Sequence, residues 1–167
     1  LFEDISSEIA SMGVPGPDGE SMAEDMENNG LEYHSGWDCC VPQIFWTYVV
    51  FYDPDAFPGE KPDSMADFFD TEKFPGKRGI HTWATGVIEK AMVADGVKPT
   101  AVPTVLAKQT GAIDRAFEVM DRIKDDVVFW SSGSKPLELV SSGEVVMAIA
   151  YNGRVGAANL AEGENFE

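Results

Sequence analysis

The stretch VVFWSSGSKPLELVSSGEVVMAIAYNGRV, residues 127–155, decides the fold of this chain. It begins with an apolar run, 127–130, and a second apolar run occupies 145–150. Between them lie small polar residues and a helix-like segment with Pro136 near its start and Gly143 past its end. Two apolar runs of this length that are joined by a helix predict parallel strands buried on both faces.

Aromatic and polar residues stand where these two predicted strands end. Trp130, Ser132 and Gly133 mark the end of the first strand, and Tyr151 and Asn152 mark the end of the second. In open parallel sheets, ligands bind beyond the carboxyl ends of the strands. We therefore expect these residues to line a ligand site.

The polar residues Ser132, Gly133 and Ser134 also precede the predicted helix, whose first N–H groups are free to bind an anionic or carbonyl group. The alternative is that Ser134 simply caps the helix, with Pro136 in its first turn.

Strands and helices alternate along most of the chain. The aromatic and β-branched run 41–52, VPQIFWTYVVFY, predicts one or two strands, and Ser64 with Asp67 forms a capping box at the start of a helix. The other predicted elements are a strand at 77–81 and helices at 85–95, 112–124 and 154–161. This alternation predicts an α/β fold with a mainly parallel mixed sheet.

The segment 112–124 has the clearest helical period of the chain. The residues predicted to form its buried face are Ile113, Ala116, Phe117, Met120 and Ile123.

The net charge is −17, from 29 acidic and 12 basic residues, which excludes a nucleic acid as the expected partner because phosphate binding needs clustered Lys and Arg. No apolar run approaches the length of a membrane span. The first residues show neither an initiator Met nor a leader, so we expect a processed protein or a fragment.

The adjacent Cys39 and Cys40 form no disulfide framework, and His34 and His81 lack metal-ligand spacing to them, so no metal is expected.

Motifs of enzymes are absent from the sequence: it contains no glycine-rich phosphate loop, no nucleophile elbow and no HExxH. His81 is a candidate general base without a recognisable nucleophile, so we expect no catalytic residue and no cofactor.

The residues that indicate ligand binding are clearer than those that would indicate catalysis. Trp46, Trp83, Trp130 and Tyr151 all stand near predicted element ends, where their rings would hold an apolar or cationic ligand, unless they simply belong to the core.

Several longer runs resemble the periplasmic substrate-binding proteins of ABC importers, and the spermidine/putrescine-binding group in particular. They are DSMADFFDTEKFPGKRGI (63–80), AMVADGVKP (91–99), AIDRAFEVMDRIKDDVVFW (112–130) and SGSKPLELVSSGEVVMAIAYNGRV (132–155). The resemblance implies a three-layer α/β lobe of a two-lobed (type II) clamshell that closes on a small polar or cationic, polyamine-like solute. It also implies a periplasmic location and delivery of the solute to a membrane permease.

Such proteins are about twice as long as this chain, so the resemblance implies that most of the first lobe is missing. Residues 1–40 would be an acidic flanking segment at the end of that first lobe. Residues 41–155 would be the solute-binding lobe, and 156–167 would begin the return toward the first lobe.

The resemblance also carries site residues. Tyr151 matches a Trp that packs on the ligand in polyamine binders, and Trp46 and Thr47 match a crossover strand that faces the cleft. The acidic residues that clamp the ligand ammonium would stand at 81–86, where this sequence reads HTWATG without a carboxylate. Because an unpaired buried ammonium is costly, an amino-acid-like or other small polar solute is the alternative. In the same region His81 and Trp83 complete the predicted site: Trp46, Thr47, His81, Trp83, Trp130, Ser132, Gly133, Tyr151 and Asn152.

Two other functional hypotheses stay open on the sequence. One is an enzyme, such as a transferase, on a related α/β lobe. The other is an isolated lobe without activity of its own.

Overall fold

One mixed sheet organises residues 46–167, the part of the chain that the computed structural model describes. Its strands are β1 (Tyr48–Tyr52), β2 (Arg78–His81), β3 (Val127–Trp130) and β4 (Met147–Tyr151), in the spatial order β1-β4-β2-β3. Strand β2 is parallel to both β3 and β4, whereas β1 is antiparallel to β4. The predicted α/β fold with a mainly parallel mixed sheet is confirmed, and the two apolar runs that decide it lie on either side of β2.

Helices cover both faces of this sheet. They are α1 (Met65–Phe68), α2 (Val87–Ala94), α3 (Val102–Lys108), α4 (Ala112–Asp121), α5 (Lys135–Ser141) and α6 (Asn152–Ala157), which continues as a π-helical turn (Ala158–Glu162). Side chains of α1 to α4 build the core on one face, and α5 and α6 pack on the other. This arrangement confirms a three-layer sandwich. Within 46–167, no helix combines the length and the apolar character that crossing a bilayer requires.

The buried face of α4 differs from the predicted one. Ile113 and Phe117 are 43% and 52% exposed, whereas Ala112, Ala116 and Val119 are buried. Both stripes share the helical period, and α4 packs through its small residues against Ala91 and its neighbours on α2. The prediction is confirmed for Ala116, Met120 and Ile123 and wrong for Ile113 and Phe117, because small residues let two helices approach more closely.

The prediction that both strands of the opening stretch are buried on both faces holds for β4 and is wrong for β3. Residues 147–150 are all buried, because β4 lies between β1 and β2. Strand β3 lies at the edge of the described sheet, and its Phe129 is 64% exposed. The sequence also gave no indication of α3.

A buried arginine explains the run DFFDTEKFPGKRG. Arg78 is fully buried and donates hydrogen bonds to four carbonyl oxygens, those of Phe68, Asp70, Phe74 and Gly76, at 2.6–3.2 Å. The guanidinium thereby replaces the secondary structure that this loop lacks and ties it to β2. Burial lowers the pKa of Arg78 to about 10, so the group stays charged at neutral pH.

The capping box at α1 is confirmed. The Ser64 hydroxyl accepts from the Asp67 N–H, and the Asp67 carboxylate accepts from the N–H of Ser64 and of Asp63. Burial alone would raise the pKa of Asp67, but the hydrogen bonds from the Ser64 hydroxyl and these N–H groups outweigh it and lower that pKa.

Several predictions lie outside the described residues. They are the acidic flanking segment 1–40, Cys39 with Cys40, and the first part of the strand predicted at 41–52.

Candidate functional site

The carboxyl edge of the sheet gathers residues from all four strands. Because β1 is antiparallel to β4, its first residue, Tyr48, lies opposite the last residue of β4, Tyr151. On the parallel side, His81 at the end of β2 lies opposite Trp130 at the end of β3. The edge where ligands are expected in this fold is therefore aromatic along its full width.

Five rings meet at this edge: Tyr48, His81, Trp83, Trp130 and Tyr151, which we call the edge cluster. The two tyrosine rings stack, with centroids 4.9 Å apart and planes inclined by 30°. The His81 ring meets those of Trp83 and Trp130 edge-on at 4.7 and 4.4 Å, and Trp130 meets Tyr151 at 6.1 Å. Each ring is thus fixed by at least one neighbour, which gives the edge a defined shape.

The cluster has a buried base and an open rim. His81 and Trp130 are buried, so Trp130 supports the cluster from the core. Trp83 is 64% exposed and Tyr151 is half-buried. Trp46, just before β1, is 58% exposed. In the described part of the chain, the exposed rings at this edge are therefore those of Trp83 and Trp46, and the Tyr48 and Tyr151 rings are partly exposed.

His81 is held in its neutral form. Its Nδ1 accepts a hydrogen bond from the Trp83 N–H at 2.8 Å, and burial lowers the pKa of the imidazole. A neutral ring that accepts through Nδ1 carries its proton on Nε2. Since Nδ1 is already engaged, His81 acts in this structure as a support for Trp83.

A cation lies against the tyrosine pair on the α2 side. The Lys90 ammonium is 5.1 Å from the centroid of the Tyr48 ring and donates to the Gly86 carbonyl at 3.1 Å. Burial lowers the pKa of Lys90. The carboxylate of the neighbouring Glu89 accepts from the Gly86 N–H at 2.7 Å and so caps the N-terminus of α2.

The close approach of the Tyr48 ring to the start of α2 requires glycine at position 86. It has φ +82°, and a Cβ at this position would lie 2.8 Å from Cδ2 of Tyr48. A side chain there would both strain the backbone and displace the tyrosine ring.

The other side of the cluster holds a second cation. Thr47 and Asn152 tie the start of β1 to the start of α6, since the Thr47 N–H donates to Asn152 Oδ1 and the Asn152 N–H to the Thr47 carbonyl, both at 3.0 Å. A Cβ on Gly133 would lie 3.4 Å from the Tyr151 ring and 3.6 Å from Arg154 Nε. The Arg154 side chain therefore lies beside Tyr151 and above Gly133.

Arg154 also lines a cavity of about 400 Å³ between α5 and α6. Ser134, Glu138 and Glu164 contribute its polar walls, and Phe166 is among its apolar residues. The same guanidinium-bearing side chain thus belongs both to this cavity and to the rim of the edge cluster.

The hydroxyl of Ser134 makes no capping hydrogen bond, so this predicted cap is wrong. Its φ and ψ of −85° and −24° are already helical, whereas a capping side chain needs an extended backbone. The Ser132 carbonyl instead accepts from the Lys135 N–H at 3.0 Å, and the two serine hydroxyls lie 3.4 Å apart at the surface.

The predicted residues largely converge. His81, Trp83, Trp130 and Tyr151 belong to the edge cluster, Gly133 contacts Tyr151, and Thr47 pairs with Asn152. Trp46 and Ser132 lie next to these positions in the chain, and within 46–167 neither forms a ring pair or a hydrogen bond with the edge cluster.

The sequence did not single out four further residues. They are Tyr48, Gly86, Lys90 and Arg154. Tyr48 had a signal, since it stands in the aromatic run 41–52, but only the antiparallel register shows which tyrosine of that run reaches the edge. Among residues 46–167 no group of three His, Cys, Asp or Glu side chains is placed to hold a metal ion.

Comparisons with known proteins point to one class. The family model described as bacterial extracellular solute-binding protein matches residues 5–167. A curated γ-aminobutyric acid-binding protein of Pseudomonas aeruginosa is 40% identical over 121 residues, which cover 72% of this chain and 34% of that protein.

Two solved structures agree with these matches. An ABC transporter substrate-binding protein from Bradyrhizobium japonicum is 36% identical with a TM-score of 0.61, over 73% of this chain and 36% of the other. The structure of the GABA receptor Atu4243 is 31% identical with a TM-score of 0.68, over 100% of this chain and 45% of the other. The chain thus spans about a third of the curated relative and less than half of each of these structures.

Proposed function

The chain belongs to the bacterial extracellular solute-binding protein family, and we propose that it forms one lobe of the solute-binding component of an ABC transporter. The function is binding followed by closure of two lobes, with delivery of the solute to a membrane permease from the extracytoplasmic side. Proteins of this family bind solutes and are not enzymes, in line with the expectation from the sequence.

The observation that carries the proposal is the charge around the edge cluster. Aromatic faces attract an ammonium group through cation–π interaction. Among the described residues, the cations Lys90 and Arg154 lie beside the tyrosine pair, and the nearby Glu89 is engaged by the Gly86 N–H. A solute that carries a carboxylate as well as an amine matches this surface better than a diamine does.

We therefore propose an amino carboxylate as the solute. Two of the similar proteins described above are named for γ-aminobutyric acid, which has an amine and a carboxylate at opposite ends. The polyamine-like solute expected from the spermidine/putrescine resemblance is the alternative. None of the three similar proteins described above is named for a polyamine.

The test is isothermal titration calorimetry on the natural polypeptide that carries these 167 residues. Three solutes of equal chain length separate the two ends: 4-aminobutyrate, 1,4-diaminobutane and butyrate. We expect 4-aminobutyrate to bind at least about tenfold more tightly than either of the others, because each lacks one charged contact. Tighter binding of the diamine would overturn the amino carboxylate, and no binding across a broad panel of polar solutes would overturn solute binding itself.

A further inference from the structure

We propose that the turn from β4 into α6 is the carboxylate-binding part of the site, with Arg154 as the residue that selects for a carboxylate. This inference rests on the proposed function and adds the residues that recognise one end of the solute. It concerns Tyr151, Asn152 and Arg154, which the sequence reads as the contiguous run YNGR.

Hydrogen-bond direction leaves this turn rich in donors. The Tyr48 hydroxyl donates to the Tyr151 oxygen at 3.3 Å, so the Tyr151 hydroxyl keeps its own proton for another acceptor. Asn152 Oδ1 accepts from the Thr47 N–H. Because the amide oxygen is engaged in this way, the NH₂ group of Asn152 remains as a donor for another acceptor. Two neighbouring side chains thus present donors without a competing acceptor.

Arg154 adds the charge. Its side chain lies beside the Tyr151 ring at Gly133, and no carboxylate oxygen described in 46–161 or 163–167 comes within 4.0 Å of its guanidinium. The cavity it lines contains two carboxylates, but Glu138 pairs with Lys135 at 3.2 Å and Glu164 accepts from the Ser141 hydroxyl at 3.1 Å. Among these described groups the guanidinium therefore has no carboxylate partner, and its planar fork fits a carboxylate.

Glycine at position 133 leaves the space beside Tyr151 and Arg154 accessible. A side chain there would lie in contact with both the Tyr151 ring and Arg154 Nε, and would occupy the space between them. With glycine, the space between the Tyr151 ring and Arg154 Nε holds no side chain of residue 133. The polar end of a solute would lie at this space while its methylene chain runs along the aromatic edge cluster.

The experiment compares Arg154→Gln with Arg122→Gln in the natural polypeptide that carries this chain. Both substitutions remove one positive charge, and the Arg122 guanidinium is an exposed surface group on the turn after α4. Calorimetric titration with 4-aminobutyrate and with 1,4-diaminobutane then separates a local contact from a change in overall charge. Arg154→Lys, which keeps the charge and loses the fork, is the conservative variant.

We expect Arg154→Gln to weaken 4-aminobutyrate binding by about ten- to hundredfold, as for loss of charge-assisted hydrogen bonds, with partial recovery in Arg154→Lys. Binding of the diamine should stay unchanged or strengthen, and Arg122→Gln should leave both affinities as in the wild type. Equal effects of the two glutamine variants, or an equal loss for both solutes, would overturn the role of Arg154 while leaving the proposed function intact. If the wild type binds neither solute nor any other amino carboxylate, the proposed function fails and this assignment falls with it.

Discussion

Tyr48 and Tyr151 stack across the antiparallel pair β1–β4, with ring centroids 4.9 Å apart and hydroxyl oxygens 3.3 Å apart. Burial, followed by the hydrogen bond to Tyr151, raises the pKa of Tyr48 to about 12. Tyr48 therefore stays neutral across the physiological range and sets the direction of the Tyr151 hydroxyl. This contact joins two segments more than 100 residues apart in the chain.

Tyr48→Phe should weaken solute binding, because it releases the Tyr151 hydroxyl from its fixed orientation. The matched control is Tyr52→Phe at the other end of β1, where the hydroxyl donates to the Glu167 carboxylate at 3.1 Å. Each variant should lose about 1 kcal/mol of unfolding free energy in urea titrations. Only Tyr48→Phe should lower the affinity measured by calorimetry; a similar loss in Tyr52→Phe would contradict a specific role for the tyrosine pair.

Gly86→Ala should destabilise the protein more than Gly96→Ala does. Both glycines have a positive φ, +82° and +86°, but a Cβ at Gly86 meets the Tyr48 ring at 2.8 Å, whereas none lies within 4 Å at Gly96. The control should cost about 1–2 kcal/mol for the left-handed backbone alone. Gly86→Ala should cost about a further 1–3 kcal/mol for overpacking and should also reduce solute affinity. Equal unfolding free energies for the two variants would show that the ring moves aside without cost.

The stability of the protein should fall as the pH drops below about 6.5, the usual pKa of histidine, because burial lowers the pKa of His81. Below this pH His81 is protonated in the unfolded chain but not in the folded protein. The free energy of unfolding therefore decreases with falling pH until the pH passes below the folded pKa of His81. Above the usual pKa this contribution is fully present. Protonation at Nδ1 would also break the hydrogen bond from the Trp83 N–H.

Urea titrations between pH 7.5 and 5.5 test this dependence in a His34→Gln background, which removes the only other histidine. His81→Gln keeps an acceptor for the Trp83 N–H and should flatten the pH dependence in that window. An unchanged slope in His81→Gln would assign the dependence to other groups.

Arg78→Lys should lower the free energy of unfolding by about 3 kcal/mol or more. Lysine keeps the charge but cannot reach all four carbonyl oxygens that the guanidinium now serves, and buried carbonyls without donors are costly. Arg122→Lys, at an exposed position, should change stability by less than about 0.5 kcal/mol. A small effect at Arg78, measured by urea denaturation, would mean that water replaces the lost donors.

Much of the site could be predicted because strand ends are local features. An apolar run that stops at Trp130, or at Tyr151, identifies the carboxyl end of a parallel strand, and the fold places such ends at one edge. The exposure of Ile113 and Phe117 on α4 could not be predicted in the same way, since two stripes share one period and only the packing partner chooses between them. The cap at Ser134 failed for a related reason, because its backbone conformation is set by the loop before it.

The sequence by itself determined the α/β class, the order of the strands and of every helix but α3 from Tyr48 onward, and the aromatic character of the strand ends. Periodicity, capping residues and glycines act over a few neighbours, so they can be recognised without coordinates. Only the tertiary structure decided that Tyr48 stacks on Tyr151, that Lys90 and Arg154 flank this pair, and that Arg78 serves a whole loop. Each of these depends on sheet register and on helix position, which arise when the whole core packs at once.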